Sequence, residues 1–322
     1  QHAQWQQLAQ KQDFKLHLLD DNLVDAIWDE QPPIPESMIT AFPLMYAGLD
    51  TQTKIEQVRT ELGRQNAEYV VLNLLDDIAW LTNLRGQDAP TTPIFFAYMV
   101  VGLQQATLYV KASRLDQQAQ DSLASAGVSV CTPEQLETDL AALSGRVWLD
   151  PQHSSYWLLR SLSAQATCYQ ALSPVRTLKA IKNEVELAGM HEAHCRDAVA
   201  IIQLFSWLDS HWAEVDEMAV AAKLEALRQQ DPLYQGVSFN TISGYGAHGA
   251  IVHYAVQPET SIAISDDNLF LLDMGGQYLC GTTDVTRVLH FGVPTAAQRR
   301  DYTLVLKGHL ALRHTEFKAG TC

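Results

Sequence analysis

The chain has 322 residues, of which 47% are apolar and 18% charged, a balance typical of a globular protein long enough for two domains. Its formal net charge of -15 excludes a nucleic-acid-binding surface, because such a surface needs clustered lysines and arginines. No apolar run reaches the roughly 18 residues of a membrane span, and the five dispersed cysteines lack the spacing of a disulfide framework or a zinc site, so we expect a cytoplasmic protein that binds neither membrane nor nucleic acid.

The first half of the chain predicts an α/β domain that follows a linker. Residues 22–28 indicate a short helix, and three prolines in residues 30–36 indicate a linker, since proline is excluded from helix interiors and central strands. Helical and strand patterns then alternate. They predict helices over 51–65 and 113–127 and strands over 68–75, 94–101, 107–111 and 147–150. The expected structure is a mixed sheet covered by helices.

The second half predicts an α+β arrangement. A long amphipathic helix is expected over residues 183–212 and a second helix over 216–230, with Asp216 as its N-cap or as an acidic residue in its first turn. Strands are predicted next, over 236–243, 249–256, 268–276 and 278–291, followed by a closing helix over 296–314. Two helices, antiparallel strands and a final helix form an α+β domain.

Two aspartates carry the strongest chemical signal. Asp273 ends an apolar strand, Gly275-Gly276 predicts a turn, and Asp284 lies in the β-branched segment that follows. The pattern predicts a β-hairpin with one carboxylate on each strand, and facing strands are only about 5 Å apart. Hard divalent cations prefer such oxygen ligands. The alternative is that Asp273 merely closes a strand and Asp284 faces solvent.

His253 is the candidate proton-transfer residue. Strand alternation over residues 249–256 places His253 and Ile251 on one face. An imidazole with an ordinary pKa of roughly 6.5 suits proton transfer beside a metal near neutral pH. The alternative is a half-buried histidine that hydrogen-bonds to the backbone of the sheet.

Other polar residues give weaker signals. Arg85 follows a strand and is a candidate for binding a substrate carboxylate. His191 and His194 are three residues apart and do not form the H-E-x-x-H zinc motif, so a structural or surface role is expected. The glycine-rich segment 243–250 lacks the lysine of a phosphate-binding loop and is expected to be a flexible connection.

Residues 183–208, 238–256 and 269–292, in this order, closely resemble the catalytic domain of the Xaa-Pro aminopeptidase (aminopeptidase P) family, within the M24B peptidases. The run from Asp273 through GTTDVTR to HFG is the most specific part. Residues 76–101 resemble the middle domain of the long, three-domain form. The resemblance implies three segments, namely 1–36 as the tail of a first creatinase-like domain with a linker, 37–174 as a creatinase-like α/β domain, and 175–322 as part of a pita-bread domain.

The resemblance also implies a chemistry. Family members bind two divalent ions, usually Mn2+, and release an N-terminal residue when proline follows it. Asp273 and Asp284 then correspond to metal ligands, and His253 to the histidine that holds the substrate and stabilises the transition state. The resemblance further implies a homodimer. We expect a fragment truncated at both ends, which lacks part of the metal site and is inactive by itself.

Two alternatives stay open at this point. A hydrolase of the same fold, such as creatinase or a prolidase-like dipeptidase, acts on another C–N bond. Creatinase-type relatives lack metal, so the two aspartates disfavour them, whereas a dipeptidase keeps the metals. A non-enzymatic module that binds peptides or proteins is the third hypothesis, and the retention of Asp273, Asp284 and His253 disfavours it.

Overall fold

A computed structural model describes residues 2–19 and 22–321. The chain divides into two compact units, Gln1–Asn183 and Glu184–Cys322. This boundary lies after the predicted domain boundary at residue 174, because Val175 is completely buried in the core of the first unit. The division into three domains stays a prediction. No helix within the described residues has the length and apolar content needed to cross a membrane.

The first unit contains a mixed six-stranded sheet. Its strands are arranged in the order β6-β5-β4-β2-β7-β8, with antiparallel pairs at β2–β4 and β4–β5 and parallel pairs elsewhere, and β1 pairs with β3 in a separate ladder. The strands are β1 (Thr40–Ala41), β2 (Tyr69–Leu72), β3 (Leu84–Arg85), β4 (Tyr98–Gly102), β5 (Ala106–Tyr109), β6 (Val128–Cys131), β7 (Gly145–Leu149) and β8 (Ala166–Gln170). The helices are α1 (His2–Gln12), α2 (Leu44–Ala47), α3 (Thr51–Arg64), α4 (Leu75–Thr82), α5 (Gln117–Ser125), α6 (Leu136–Ala142), α7 (Tyr156–Arg160) and α8 (Pro174–Ala180).

Two apolar cores cover the two faces of this sheet. Alternate residues of β2 separate between them: Val70 and Leu72 pack in one core, and Val71 in the other. Helix α3 buries Ile55, Val58 and Leu62 at helical spacing in the first core. A strand that is covered on both faces reads as a continuous apolar run, which is why β2 was recognisable in the sequence. The predicted α/β architecture is confirmed.

Among the described residues, the second unit contains three α-helices and two small antiparallel sheets. Its helices are α9 (Glu184–His211), α10 (Glu217–Arg228) and α11 (Ala296–Arg313). The strands form two sheets, ordered β10-β11-β14 and β13-β12-β9, from β9 (Tyr234–Val237), β10 (Ile242–Tyr245), β11 (Phe270–Met274), β12 (Gly276–Tyr278), β13 (Gly281–Thr282) and β14 (Val285–Leu289). The predicted N-cap Asp216 is confirmed, because its side chain accepts a hydrogen bond from the backbone N–H of Ala219 at 2.8 Å.

The side chains of strand β11 alternate between buried and partly exposed positions. Phe270, Leu272 and Met274 are completely buried in the core with residues of α9 and α10, whereas Leu271 and Asp273 point to the opposite face and are partly exposed. Asp273 therefore lies on the face of the sheet that is turned away from the helical core.

Several local predictions for this unit are wrong. Residues 236–243 and 278–291 do not form single strands, because β9 and β10 lie in different sheets, as do β13 and β14. The Gly275-Gly276 pair does not make the turn of a hairpin, because the chain leaves the first sheet there, forms the β12–β13 hairpin with its turn at Leu279–Cys280, and then returns as β14. Residues 249–256 do not form a strand. Residues 246–250 form a 3-10 helix, and the turn after it carries His253.

Candidate metal centre

Asp273 lies on β11 and Asp284 immediately precedes the neighbouring strand β14, so only Asp273 is on a strand as the sequence predicted, and the segment between them is longer than a simple hairpin. Strand β11 pairs with β14, and Asp273 lies opposite Thr286. Asp284 is two residues before Thr286, and continuation of the strand alternation by one residue predicts that Asp284 shares the face of Thr286. Diagonal neighbours of this kind are roughly 7–8 Å apart at the backbone, close enough for two carboxylates to share one ion or a pair of ions.

The Asp273 side chain has one carboxylate oxygen that is available to a ligand. Its Oδ1 atom is buried and has no hydrogen-bond partner among the described residues. A buried polar atom without a partner is costly, and native structures seldom keep one without a function. Asp284, by contrast, is exposed. A hard divalent cation fits this set of oxygen donors.

The described residues supply only part of a metal shell. Within residues 2–19 and 22–321 there is no group of three or more histidine, cysteine, aspartate or glutamate side chains that could hold a metal ion. Two carboxylates therefore form the whole of the candidate centre in this part of the chain.

The segment that leads to His253 lies over the same sheet face. Gly244 of β10 pairs with Leu271, and an added Cβ on Gly244 would lie 2.9 Å from the backbone nitrogen of Gly249. An added Cβ on Gly249 would in turn lie 3.3 Å from the Cβ of Leu271. Leu271 and Asp273 share a face, so the 3-10 helix covers the face that carries the candidate ligand.

A buried carboxylate fixes this loop. Glu217, the first residue of α10, is fully buried and accepts hydrogen bonds from the Tyr245 backbone N–H at 2.7 Å, from His248 Nδ1 at 2.9 Å and from the Tyr254 hydroxyl at 3.1 Å. The His248 ring also stacks on Tyr254, with ring centroids 4.5 Å apart. These contacts outweigh the β propensity of residues 251–254 and explain why the predicted strand does not form.

His253 itself is exposed and has a left-handed backbone conformation with φ of 55°. A non-glycine residue in this conformation costs roughly 1–3 kcal/mol, which the surrounding structure must supply. The side chain is thus neither on a strand nor half-buried, and the structural alternative of a sheet histidine does not apply. Its role in proton transfer stays a prediction.

A second buried network holds the backbone beside both aspartates. Asp197 of α9 and Arg228 of α10 form an ion pair in which both side chains are almost completely inaccessible, with Arg228 Nε donating to Asp197 Oδ1 at 2.7 Å. Arg228 Nη1 donates to the Gly275 carbonyl at 2.9 Å, and the Thr283 hydroxyl donates to Asp197 Oδ2 at 2.7 Å.

The Tyr278 hydroxyl also donates to Asp197, at 3.0 Å to Oδ1. Burial, together with the Asp197 carboxylate, raises the pKa of the Tyr278 phenol far above its usual range, so Tyr278 stays a donor. Burial likewise raises the pKa of the nearby Cys280 thiol, which favours its neutral form.

Glu217, His248, Asp197 and Arg228 were missed by the sequence analysis. One signal was available for the ion pair. Asp197 interrupts the apolar stripe of α9 formed by Ala193 and Ile201, and Arg228 continues the apolar stripe of α10 that contains Leu224. An acid and a base that each occupy a core position on consecutive helices predict a buried pair, because an unpaired buried charge is too costly.

Arg85 and His194, two other residues that the sequence analysis considered, contact backbone carbonyls within the fold. Arg85 lies in the first unit, where its Nη1 donates to the carbonyls of Ala79 and Leu84 at 2.8 Å each, and its guanidinium lies 4.1 Å from the centre of the Phe42 ring. These contacts favour a structural role over the predicted substrate-binding role. His194, on the exposed surface of α9, contacts the Met190 carbonyl through Nδ1 at 2.8 Å.

The comparisons with known proteins agree with this organisation. Residues 30–186 match the creatinase/prolidase N-terminal domain, and residues 188–322 match metallopeptidase family M24. The chain therefore belongs to the M24 metallopeptidases that carry a creatinase-like N-terminal domain, and its second unit has their pita-bread fold.

Within that family the sequence is similar to proteins named for proline specificity. It is 40% identical to a probable Xaa-Pro aminopeptidase P of Colletotrichum graminicola over 94% of this chain and 52% of that protein. The X-prolyl aminopeptidase of Caenorhabditis elegans, described as a cytosolic enzyme with a di-nuclear active site, superposes with a TM-score of 0.90 at 28% identity, covering 98% of this chain and 53% of that chain.

An Xaa-Pro dipeptidase from Bacillus anthracis shares the fold, with a TM-score of 0.65 at 17% identity over 81% of this chain and 71% of that one. The chain spans about half the length of the curated relatives it matches.

Proposed function

We propose that the whole protein is a metal-dependent aminopeptidase that releases the N-terminal residue from peptides with proline in second position. The observation that carries this proposal is the buried, unpartnered Oδ1 of Asp273 on β11, the strand that pairs with β14 directly after Asp284. The similarity to proteins named Xaa-Pro aminopeptidase P supports the substrate class.

Asp273 and Asp284 have one role in this proposal, and His253 has another. Asp273 and Asp284 hold two divalent ions, with Mn2+ as the proposed metal. Such ions, when bound, acidify water and polarise a carbonyl. His253, at the tip of the loop over the same face, donates a hydrogen bond to the substrate and stabilises charge that develops at the scissile carbonyl.

A proline after the scissile bond limits the ways in which the enzyme can recognise its substrate. The nitrogen of a proline residue carries no hydrogen within a peptide, so a site for it cannot use that donor and must recognise the ring by shape and the free α-amine by charge. The net charge of -15 and the acidic face around Asp273 and Asp284 suit a cationic N-terminus.

We expect the whole protein, supplied with Mn2+, to cleave the first residue from an Arg-Pro-Pro peptide and to leave the N-acetylated form intact. Acetylation removes the positive charge that the acidic face recognises. A mass-spectrometric time course on both peptides measures this difference. An Arg-Ala-Pro peptide of the same length is the control for proline recognition and is expected to be the poorer substrate.

Two outcomes contradict the proposal. Equal cleavage of the acetylated peptide excludes an exopeptidase that recognises the free amine. Hydrolysis confined to the dipeptide Arg-Pro, with the tripeptide untouched, identifies a prolidase-like dipeptidase.

Residues 1–322 expressed alone are expected to bind Mn2+ weakly, since the described part of the chain offers two carboxylates and a hard cation prefers about six donors. Titration calorimetry with Mn2+ measures the affinity of this chain and of the whole protein side by side. Tight stoichiometric binding by residues 1–322 alone contradicts the assignment of an incomplete shell.

A cytoplasmic location and a homodimer complete the proposal. Both rest on the family resemblance, and the location is supported by the description of the Caenorhabditis elegans relative as cytosolic. Sedimentation of the purified protein tests the dimer.

A further inference from the structure

We propose that Asp197 and Arg228 are positioning residues that set the separation of Asp273 and Asp284 by holding the two backbone segments beside them. The proposal rests on the proposed metal-dependent function and extends it to residues that lie behind the candidate centre, in the helical layer.

The first contact fixes the chain just after Asp273. Arg228 Nη1 donates to the Gly275 carbonyl at 2.9 Å, and the Ser238 backbone N–H donates to the same carbonyl at 3.1 Å. Gly275 has no room for a side chain, because an added Cβ would lie 2.2 Å from both Ser238 Oγ and the Thr283 carbonyl. The position of Gly275 is therefore fixed by two hydrogen bonds to its carbonyl and by the close approach of Ser238 and Thr283.

The second contact fixes the chain just before Asp284. The Thr283 hydroxyl donates to Asp197 Oδ2 at 2.7 Å and accepts from the Gly276 N–H at 2.9 Å. The Thr283 backbone N–H also donates to the Gly276 carbonyl at 2.9 Å. Thr283 is only 1% exposed. One hydroxyl thus joins the segment of each aspartate to the same buried carboxylate.

The ion pair connects both contacts into one rigid unit. Arg228 contacts both oxygens of Asp197, at 2.7 Å through Nε and at 3.1 Å through Nη2, and its third nitrogen reaches Gly275. The planar guanidinium fixes the direction of all three bonds, which a lysine cannot reproduce. Groups behind the direct ligands commonly tune metal affinity in this way.

Stabilisation of the fold is a poor explanation for this buried ion pair. A buried ion pair is seldom more stable than apolar side chains of similar volume, because both charges lose their hydration. Here the pair is bonded to the Gly275 carbonyl, two residues after Asp273, and to the Thr283 hydroxyl, immediately before Asp284. We infer that its contribution lies in fixing the ligands before a metal arrives.

Thr283→Val tests the proposal, because valine keeps the shape of threonine and removes the hydroxyl. In the whole protein it is expected to weaken Mn2+ binding by about 10–100-fold, the range typical of groups behind the direct ligands. Titration calorimetry with Mn2+ alone measures this without any peptide. Thr283→Ser keeps the hydroxyl and is expected to restore binding.

A second readout uses the metal-free protein. Thr283→Val is expected to speed hydrogen exchange of the Gly276 amide, which loses its acceptor, while circular dichroism stays unchanged. Tyr278→Phe is the matched control, because it removes one hydrogen bond to Asp197 and keeps the bonds that join the network to Gly275 and Thr283. It is expected to keep the metal affinity of the unmodified protein.

Arg228→Lys and Arg114→Lys form a second matched pair. Arg114 is buried in the first unit and donates to Asp88 at 2.6 Å, so its substitution breaks a comparable ion pair away from the candidate centre. Both variants are expected to melt at lower temperature, and only Arg228→Lys to bind Mn2+ weakly.

Three outcomes overturn the proposal. These are unchanged Mn2+ affinity in Thr283→Val, equal losses of affinity in Thr283→Val and Tyr278→Phe, and weakened binding in Arg114→Lys that follows the melting temperature. In each case the proposed function survives, because the unmodified protein still binds Mn2+. Absence of Mn2+ binding by the unmodified protein overturns both.

Discussion

Asp284→Asn in the whole protein is expected to lower kcat/KM for an Arg-Pro-Pro peptide by at least about 10³-fold, because divalent ions contribute several kcal/mol of transition-state stabilisation and each 1.4 kcal/mol is a factor of ten. Asparagine keeps the size of the side chain but removes the charge that a divalent cation requires. Peptide hydrolysis and metal content, measured by elemental analysis on the same preparation, are expected to fall together.

The exposure of Asp284 makes this variant informative about function. An exposed side chain contributes little to the free energy of unfolding, so the fold is expected to survive the substitution. Asp209→Asn, on the exposed surface of α9, makes the same change of charge and is expected to leave turnover and metal content unchanged. Normal metal content and turnover in Asp284→Asn would falsify its assignment as a ligand.

The pairing that brings the two aspartates together could be predicted from the sequence, and the path between them could not. The apolar run that ends at Asp273 and the β-branched run after Asp284 are local patterns, and both form strands. The Gly275-Gly276 pair looked like a turn because glycine is common in turns. In the structure Gly275 is needed for a different reason, the close approach of Ser238 and Thr283, which depends on contacts distant in sequence.

The loop that carries His253 also depends on contacts distant in sequence, which local sequence patterns do not reveal. Residues 249–256 alternate in a way that local propensity assigns to a strand. Glu217, more than thirty positions away from Tyr254 along the chain, accepts hydrogen bonds from residues on both sides of the loop and holds it in another conformation. The sequence identified His253 as a candidate but could not give its environment, because Glu217 was hidden in an ordinary helical pattern.

The first unit was predictable for a simple physical reason. Its sheet is covered on both faces, so strands such as β2 are almost uniformly apolar, and its helices carry apolar residues at regular spacing, as in α3. The contacts of Arg85 were harder to predict, because an arginine in the sequence carries no sign of the backbone carbonyls to which it donates in the fold.

His253→Ala in the whole protein is expected to lower kcat for the same peptide by about 10²–10⁴-fold, the range typical of acid–base groups. Metal content is expected to stay unchanged, since the proposed role of His253 is toward the substrate. The exposed position of His253 at the tip of a loop held over the face of Asp273 agrees with a side chain that meets its partner only when substrate is present.

The left-handed backbone of His253 requires a second variant. Alanine at a φ of 55° is strained, so a loss of activity in His253→Ala alone could come from a displaced loop. Asparagine adopts this conformation readily and lacks the imidazole, so His253→Asn separates the two causes. Loss of turnover in both variants, with unchanged metal content and an unchanged His309→Ala control on the exposed surface of α11, is the expected result. Near-normal turnover in His253→Asn means that the backbone of the loop, and not its imidazole, serves the reaction, and loss of metal from either variant makes His253 a ligand.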